Sequence, residues 1–235
     1  MENDLKLREL SKLVEKEDSI KSLKILGDLF PEKTIFTTSF GLEDQMITHL
    51  IFENNIPIKV VTLDTGRLFQ ETYKVFNETL KRYKKEIQVY FPDYKDIEEL
   101  VTKKGPFSFY NSREDRFECC KLRKVVPLDR ALEGMECWIS GIRSDQSDNR
   151  NQMDMIEYDG RKKLYKFYPL FNSSYEGVRR FVMENNIPHN SLHGKGYVSI
   201  GCEPCTRAVR EGGDFRSGRW WWEGDGVKEC GCHIN

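Results

Sequence analysis

The chain has 235 residues, 38% of them hydrophobic and 32% charged, with a formal net charge of −1. That length supports one sizeable core with room for an appendage, and the near-neutral charge supplies no global attraction to nucleic acid or membrane. No apolar run approaches the length that crosses a bilayer and no signal-peptide pattern follows Met1, so a cytoplasmic protein is expected, whose seven cysteines serve as ligands or nucleophiles rather than disulfides.

Residues 4–29 carry Leu5, Leu10, Leu13, Ile20, Leu23, Ile25 and Leu29 at helical spacings, which predicts one or two amphipathic helices. The β-rich run KTIFTT at 33–38 then leads through a small-residue turn into an apolar-periodic helix at 42–54. A second strand at 58–63 ends in Asp64-Thr65-Gly66 and leads into a helix at about 68–83. The alternation continues with a strand at 87–91, a helix at about 95–103, a polar stretch at 105–118, a helix at about 120–132 and a strand at 137–139. A polar loop follows at 141–154. Segments 155–158 and 163–168, separated by Asp159-Gly160, predict a hairpin or edge pair, and a last helix is expected at about 174–185. Strands alternating with helices predict an α/β fold, a doubly wound, Rossmann-like and mostly parallel sheet with helices on both faces. The expected division is 1–187, including N-terminal helices within 1–30, followed by a Cys/Arg/Trp-rich, ligand-organised tail at 188–235.

Ligands of open α/β sheets bind outside the carboxyl ends of the strands. Three loops qualify. Ser39, Gly41 and Glu43 follow the first strand, where a helix N-terminus offers free N–H groups; without the lysine of a Walker A motif, a P-loop nucleoside triphosphatase is disfavoured. Leu63, Asp64 and Gly66 end the second strand. Gly141 and Arg143, with Arg150 beyond, follow Trp138-Ile139-Ser140. Together they read as an adenine-nucleotide pocket.

The cysteines separate by spacing. Cys119-Cys120 and Cys202-Glu203-Pro204-Cys205 make two pairs suited to zinc or to an iron–sulfur cluster, although adjacent thiolates reach one tetrahedral ion only with strain. Cys230, in Lys228-Glu229-Cys230-Gly231-Cys232-His233, has the position of a nucleophile on a chain end, while Cys137 in an apolar strand reads as core packing. Trp220-Trp221-Trp222 reads as packing that anchors the tail on the sheet domain, and His49, His189 and His193 as hydrogen-bonded structural residues.

From about residue 35 to 233 the motifs resemble the assimilatory adenylylsulfate reductases, of the phosphoadenylylsulfate reductase family. The resemblance rests on Ser39-Phe40-Gly41-Leu42-Glu43-Asp44, Leu63-Asp64-Thr65-Gly66-Arg67, Cys119-Cys120-Lys121-Leu122-Arg123-Lys124, Ser140-Gly141-Ile142-Arg143, Gly201-Cys202-Glu203-Pro204-Cys205-Thr206 and Lys228-Glu229-Cys230-Gly231 with His233. It implies an adenine-nucleotide α-hydrolase-like fold and one [4Fe–4S] cluster on Cys119, Cys120, Cys202 and Cys205. It also implies reduction of adenylyl sulfate to sulfite and AMP through an S-sulfo intermediate on Cys230, with thioredoxin or a glutaredoxin-like protein as reductant. Lys124, Arg216 and Arg219 match phosphosulfate-binding positions, His233 lies beside the nucleophile, and Gly141, Arg150 and Leu63 match positions that hold adenosine. Cys232 departs from the family, which has an aliphatic residue there. Rival expectations are a reductase for the 3′-phosphorylated substrate, or for both, and a zinc-dependent nucleic-acid-binding module. No membrane or nucleic-acid partner is expected, and a homo-oligomer is allowed.

Overall fold

The structure is a computed structural model that describes residues 2–14, 18–146, 150, 153–210 and 212–224. Cys230, Cys232 and His233 lie outside the described residues. Six strands form one sheet in the order β3-β2-β1-β4-β6-β5. They are β1 (Thr34–Thr38), β2 (Lys59–Leu63), β3 (Gln88–Tyr90), β4 (Cys137–Ile139), β5 (Ile156–Asp159) and β6 (Leu164–Phe167). β1 pairs parallel with β4 and β4 parallel with β6, with Cys137 opposite both Thr34 and Tyr165; β5 and β6 form the expected antiparallel pair. The chain runs outward from β1 to β3 and then returns to place β4 on β1's other side. That reversal makes the β1/β4 border the topological switch point of the sheet.

The helices are α1 (Glu2–Val14), α2 (Ser19–Leu29), α3 (Leu42–Glu53), α4 (Gln70–Tyr83), α5 (Tyr94–Lys104), α6 (Arg113–Cys120), α7 (Val126–Leu132) and α8 (Tyr175–Glu184). Side-chain caps fix several starts: Asp18, Asp93, Ser112 and Ser174 each accept a backbone N–H of the following turn. Gly105 ends α5 at φ 83°, a conformation that favours glycine.

Two expectations need correction. The stretch 105–118 contains a 3-10 turn, Ser108–Tyr110, and most of α6. Its charged sequence lacks an apolar stripe, and the Ser112 cap supplies the start instead. Nor is 120–132 one helix: a π turn, Lys121–Val125, separates α6 from α7. Pro127 has no N–H for the Arg123 carbonyl and its ring crowds that preceding turn, so the backbone widens there, with the Val126 N–H reaching the Lys121 carbonyl.

The chain divides into two compact units, 1–61 with 74–88 and 134–190, and 62–73 with 89–133 and 191–235. The first holds the main core, in which Leu23, Leu26, Phe36, Ile47, Cys137, Ile139 and Phe167 are buried; Cys137 packs there as expected. The second has its own core of Leu100, Phe109, Trp220 and the four paired cysteines, with Leu122 and Trp222 against it. Among the described residues, no helix is long and apolar enough to cross a membrane.

Candidate active site

In the first unit, the loops after β1 and β4 meet at the switch point. The Ser39 N–H and hydroxyl both donate to Asp44 Oδ2, at 2.6 and 2.7 Å, which folds the loop over the start of α3. Phe40 takes φ 61° inside that turn, and its N–H donates to Thr38 Oγ1 at 3.1 Å. Gly41 caps α3 without a side-chain bond. Gly141 packs so closely that a Cβ there would lie 2.3 Å from Asp44 Oδ1. Asp44 is buried, and burial first, with Glu43 repulsion, raises its pKa to about 6 against the lowering effect of the Ser39 donors.

Glu43 Oε1 accepts from Arg143 Nε at 2.7 Å and Gln146 Nε2 at 3.1 Å. Arg143 also pairs with Asp145, and Arg150 donates to Gln146 Oε1. Ser39, Gly41, Glu43, Gly141, Arg143 and Arg150 therefore belong to one network. Arg143 is buried and spent on carboxylates, so its geometry is that of a brace between loops.

In the second unit, Leu63 ends β2 and the Asp64 N–H donates to the Tyr90 carbonyl at 3.0 Å. Asp64 Oδ1 then accepts from the Gly66 N–H at 2.8 Å and the Tyr73 hydroxyl at 2.9 Å, and Gly66 sits at φ 69°. This turn grips the Cys202-x-x-Cys205 segment. Thr65 Oγ1 lies 3.3 Å from Cys202 Sγ, the Glu203 N–H donates to the Arg67 carbonyl at 2.8 Å, and Arg123 Nη1 donates to the Thr65 carbonyl at 2.7 Å.

Cys119, Cys120, Cys202 and Cys205 are free thiols, none more than 9% exposed, and they line one small cavity with Phe109, Arg67, Arg116, Arg123 and Lys124. Burial is the largest influence raising the Cys119 pKa, and it pushes Cys205 up to about 12. Burial favours the neutral thiols, while the cations beside them favour thiolates. The buried donors Trp220 Nε1, Arg123 Nε and Arg219 Nε, the last beside the Trp220 ring, have no hydrogen-bond acceptor among the described residues. Among those residues, no three His, Cys, Asp or Glu side chains converge as ligands of a metal ion.

Lys124 lines the cysteine cavity from the π turn. Arg216 and Arg219 flank Trp220, with guanidinium carbons 5.8 and 4.9 Å from its ring. Arg219 lies across Gly201, where a Cβ would stand 2.2 Å from a guanidinium nitrogen. Within this unit Trp220 and Trp222 pack against the cysteine core, while Trp221 is partly exposed. His49, His189 and His193 each hydrogen-bond through Nδ1, to Tyr83, the Ile187 carbonyl and the Tyr197 carbonyl. Sequence reading passes over Arg116, although its place three and four residues before the adjacent cysteines marks it as sharing their helix face.

A family model described as "Phosphoadenosine phosphosulfate reductase domain" matches residues 33–208. The chain belongs to that family. Curated relatives include an adenosine 5′-phosphosulfate reductase of Agrobacterium fabrum, 48% identical over 86% of this chain and 78% of the relative. Another of that name, from Neisseria meningitidis serogroup B, is 41% identical over 94% of this chain and 90% of the relative. Among solved structures, a phosphoadenylyl-sulfate reductase of Candida auris in a phosphate complex has a TM-score of 0.74 at 26% identity, covering 86% of this chain and 96% of that one. The FMN adenylyltransferase of Candida glabrata shares the fold alone, with a TM-score of 0.57 at 16% identity over 82% of this chain and 65% of that one. The doubly wound α/β sheet expected from the alternating strands and helices is therefore present, on the fold that the family resemblance implies.

Proposed function

We propose that this protein reduces adenylyl sulfate to sulfite and AMP, as a cytoplasmic oxidoreductase of sulfate assimilation. The observation that carries this reading is a small cavity in which four cysteines face Arg67, Arg116, Arg123 and Lys124, in a family member whose near relatives bear the name adenosine 5′-phosphosulfate reductase.

Those cysteines fit a [4Fe–4S] cluster better than one ion. The adjacent pair gives one tetrahedral centre a strained bite, whereas a cluster spreads its thiolates over four irons and accepts N–H donors at its sulfurs. Cys119, Cys120, Cys202 and Cys205 would hold it, with Trp220 Nε1 and Arg123 Nε as donors. When bound, the cluster supplies local electrostatics and a structural tie, because the electrons come from thiols.

The remaining steps belong to side chains. Ser39, Gly41, Glu43, Leu63, Asp64, Gly66, Gly141, Arg143 and Arg150 shape the loops for the adenosine, and Lys124, Arg216 and Arg219 meet the phosphosulfate. A Cys230 thiolate forms a bond to the sulfate sulfur as the bond to the AMP phosphate oxygen breaks, and AMP leaves with that electron pair. Bringing an anionic thiolate to an anionic ester is costly without such cations. His233 lies three residues along as a proton carrier. A thioredoxin thiolate then attacks the Cys230 sulfur, sulfite departs with the bonding pair, and the second thioredoxin thiol resolves the mixed disulfide.

Anaerobically purified protein should contain four irons and four sulfides per chain and release sulfite from adenylyl sulfate with thioredoxin. Release confined to the 3′-phosphorylated nucleotide would overturn the substrate, and bound zinc without sulfide would overturn the cluster.

A further inference from the structure

An aromatic patch in the second unit remains outside this account. Phe107 is 61% exposed and Trp221 41% exposed, unusual for such large rings. They belong to one chain of contacts: Phe107 to Tyr110 at 6.3 Å between ring centroids, Tyr110 to Trp222 at 4.4 Å, and Trp222 to Trp221 at 5.7 Å. Arg207 stands 4.7 Å from the Trp221 ring and gives the patch a cationic margin. Tyr110 is pinned, its hydroxyl donating to the Pro204 carbonyl at 2.7 Å, so the surface is held in place. Exposed aromatics that are rigid and contiguous are the usual anchors of protein interfaces.

We propose that this patch docks the dithiol protein that reduces the S-sulfo intermediate. The inference rests on the two-stage reaction proposed above, and position along the chain selects the occupant. Cys230 follows Trp222 by eight residues, a tether of at most about 28 Å when extended. A thioredoxin-fold protein seated here has the sulfonated cysteine no farther along the chain than that distance from its docking surface. That thiolate forms the sulfur–sulfur bond to Cys230, sulfite leaves with the electron pair, and the partner's second thiol completes the two-electron transfer. A cationic margin suits an apolar contact face with an acidic rim.

The full-length holoprotein carrying Phe107→Ser and Trp221→Ser tests this. Mass spectrometry first follows sulfonation of Cys230 by adenylyl sulfate without reductant; turnover is then measured with thioredoxin and with dithiothreitol. Expected are unchanged sulfonation and dithiothreitol turnover, with the KM for thioredoxin raised about tenfold or more. An unchanged thioredoxin KM overturns the docking site. Equal losses with both reductants overturn it in favour of the chain's own tail as occupant, and a shift in sedimentation without a change in thioredoxin KM favours a second copy. If the unmodified protein forms no sulfonate on Cys230, the proposed function and this inference fall together, which separates that failure from failure of the docking site alone.

Discussion

Arg116 and Glu223 form a two-point ion pair, Nε to Oε1 at 2.8 Å and Nη2 to Oε2 at 2.9 Å. The guanidinium is fully buried, with Phe117 and Trp220 rings 4.0 and 4.6 Å from its carbon. It stands on α6, which ends in the adjacent cysteines, while Glu223 lies seven residues before Cys230. The pair thus ties the cysteine helix to the segment 220–223, which precedes Cys230 in the sequence. Removing one partner weakens the hold on a buried charge, at a cost of up to about 3–5 kcal/mol. Glu223→Gln should lower the urea midpoint accordingly, and the double exchange of Arg116→Met with Glu223→Met should cost clearly less than the two single changes added. Strict additivity in that cycle would show that the pair is not coupled.

Gly141 is constrained by space rather than by backbone angle. A Cβ there would stand 2.3 Å from Asp44 Oδ1 and 3.0 Å from Glu43 Cβ, so Gly141→Ala must displace the carboxylate that organises Ser39. The expected result is an AMP affinity weakened at least about tenfold, the equivalent of 1.4 kcal/mol, with iron content unchanged. Titration calorimetry with AMP measures the first and elemental analysis the second. Wild-type affinity in the variant would mean that the Ser39 and Gly141 loops do not touch the nucleotide.

What could be read from the sequence was what is local. The strand and helix of the KTIFTT segment, the hairpin at Asp159-Gly160 and the packing role of Cys137 follow from short-range periodicity. The two cysteine pairs follow from spacing as well. α6 was hidden because REDRFECC has no apolar stripe; its stability comes from the Ser112 cap and from Glu223, 107 positions away. The grip of Thr65 on Cys202 spans 137 positions. No spacing rule links loops so far apart, so the coupling between the turn after β2 and the cysteine cavity is set by the tertiary fold.

Asp44 predicts a pH dependence with a definite sign. Its pKa rises from 3.8 to about 6 on folding, mainly through burial, so between those values the folded chain holds the proton more tightly than the unfolded chain. The contribution to stability is present below about pH 4 and lost as pH rises through about 6, and a gap of this size corresponds to about 3 kcal/mol. Asp44→Asn keeps an acceptor for Ser39 without this titration. The stability difference, wild type minus variant, should therefore fall by that order between pH 4 and pH 7 in paired urea titrations. A difference that is flat across the range would show that Asp44 keeps its ordinary acidity in the fold.

Trp220 offers the most selective test of the cysteine cavity. Its ring is buried among Phe109 and the four cysteines, and Arg116 and Arg219 lie 4.6 and 4.9 Å from it. Its Nε1 lacks an acceptor among the described residues. A buried, unsatisfied N–H costs about 1–3 kcal/mol, and an acceptor supplied by the proposed cluster would remove that cost. Trp220→Phe keeps an aromatic ring for the arginines and deletes the donor. The expected outcome is a full complement of iron, a reduction potential shifted to more negative values as one N–H···S bond is lost, and a reduced sulfonation rate at Cys230. Cyclic voltammetry reads the first change and single-turnover mass spectrometry the second. An unchanged potential with full iron loading would place the Trp220 N–H away from the sulfurs and leave the ring as packing alone.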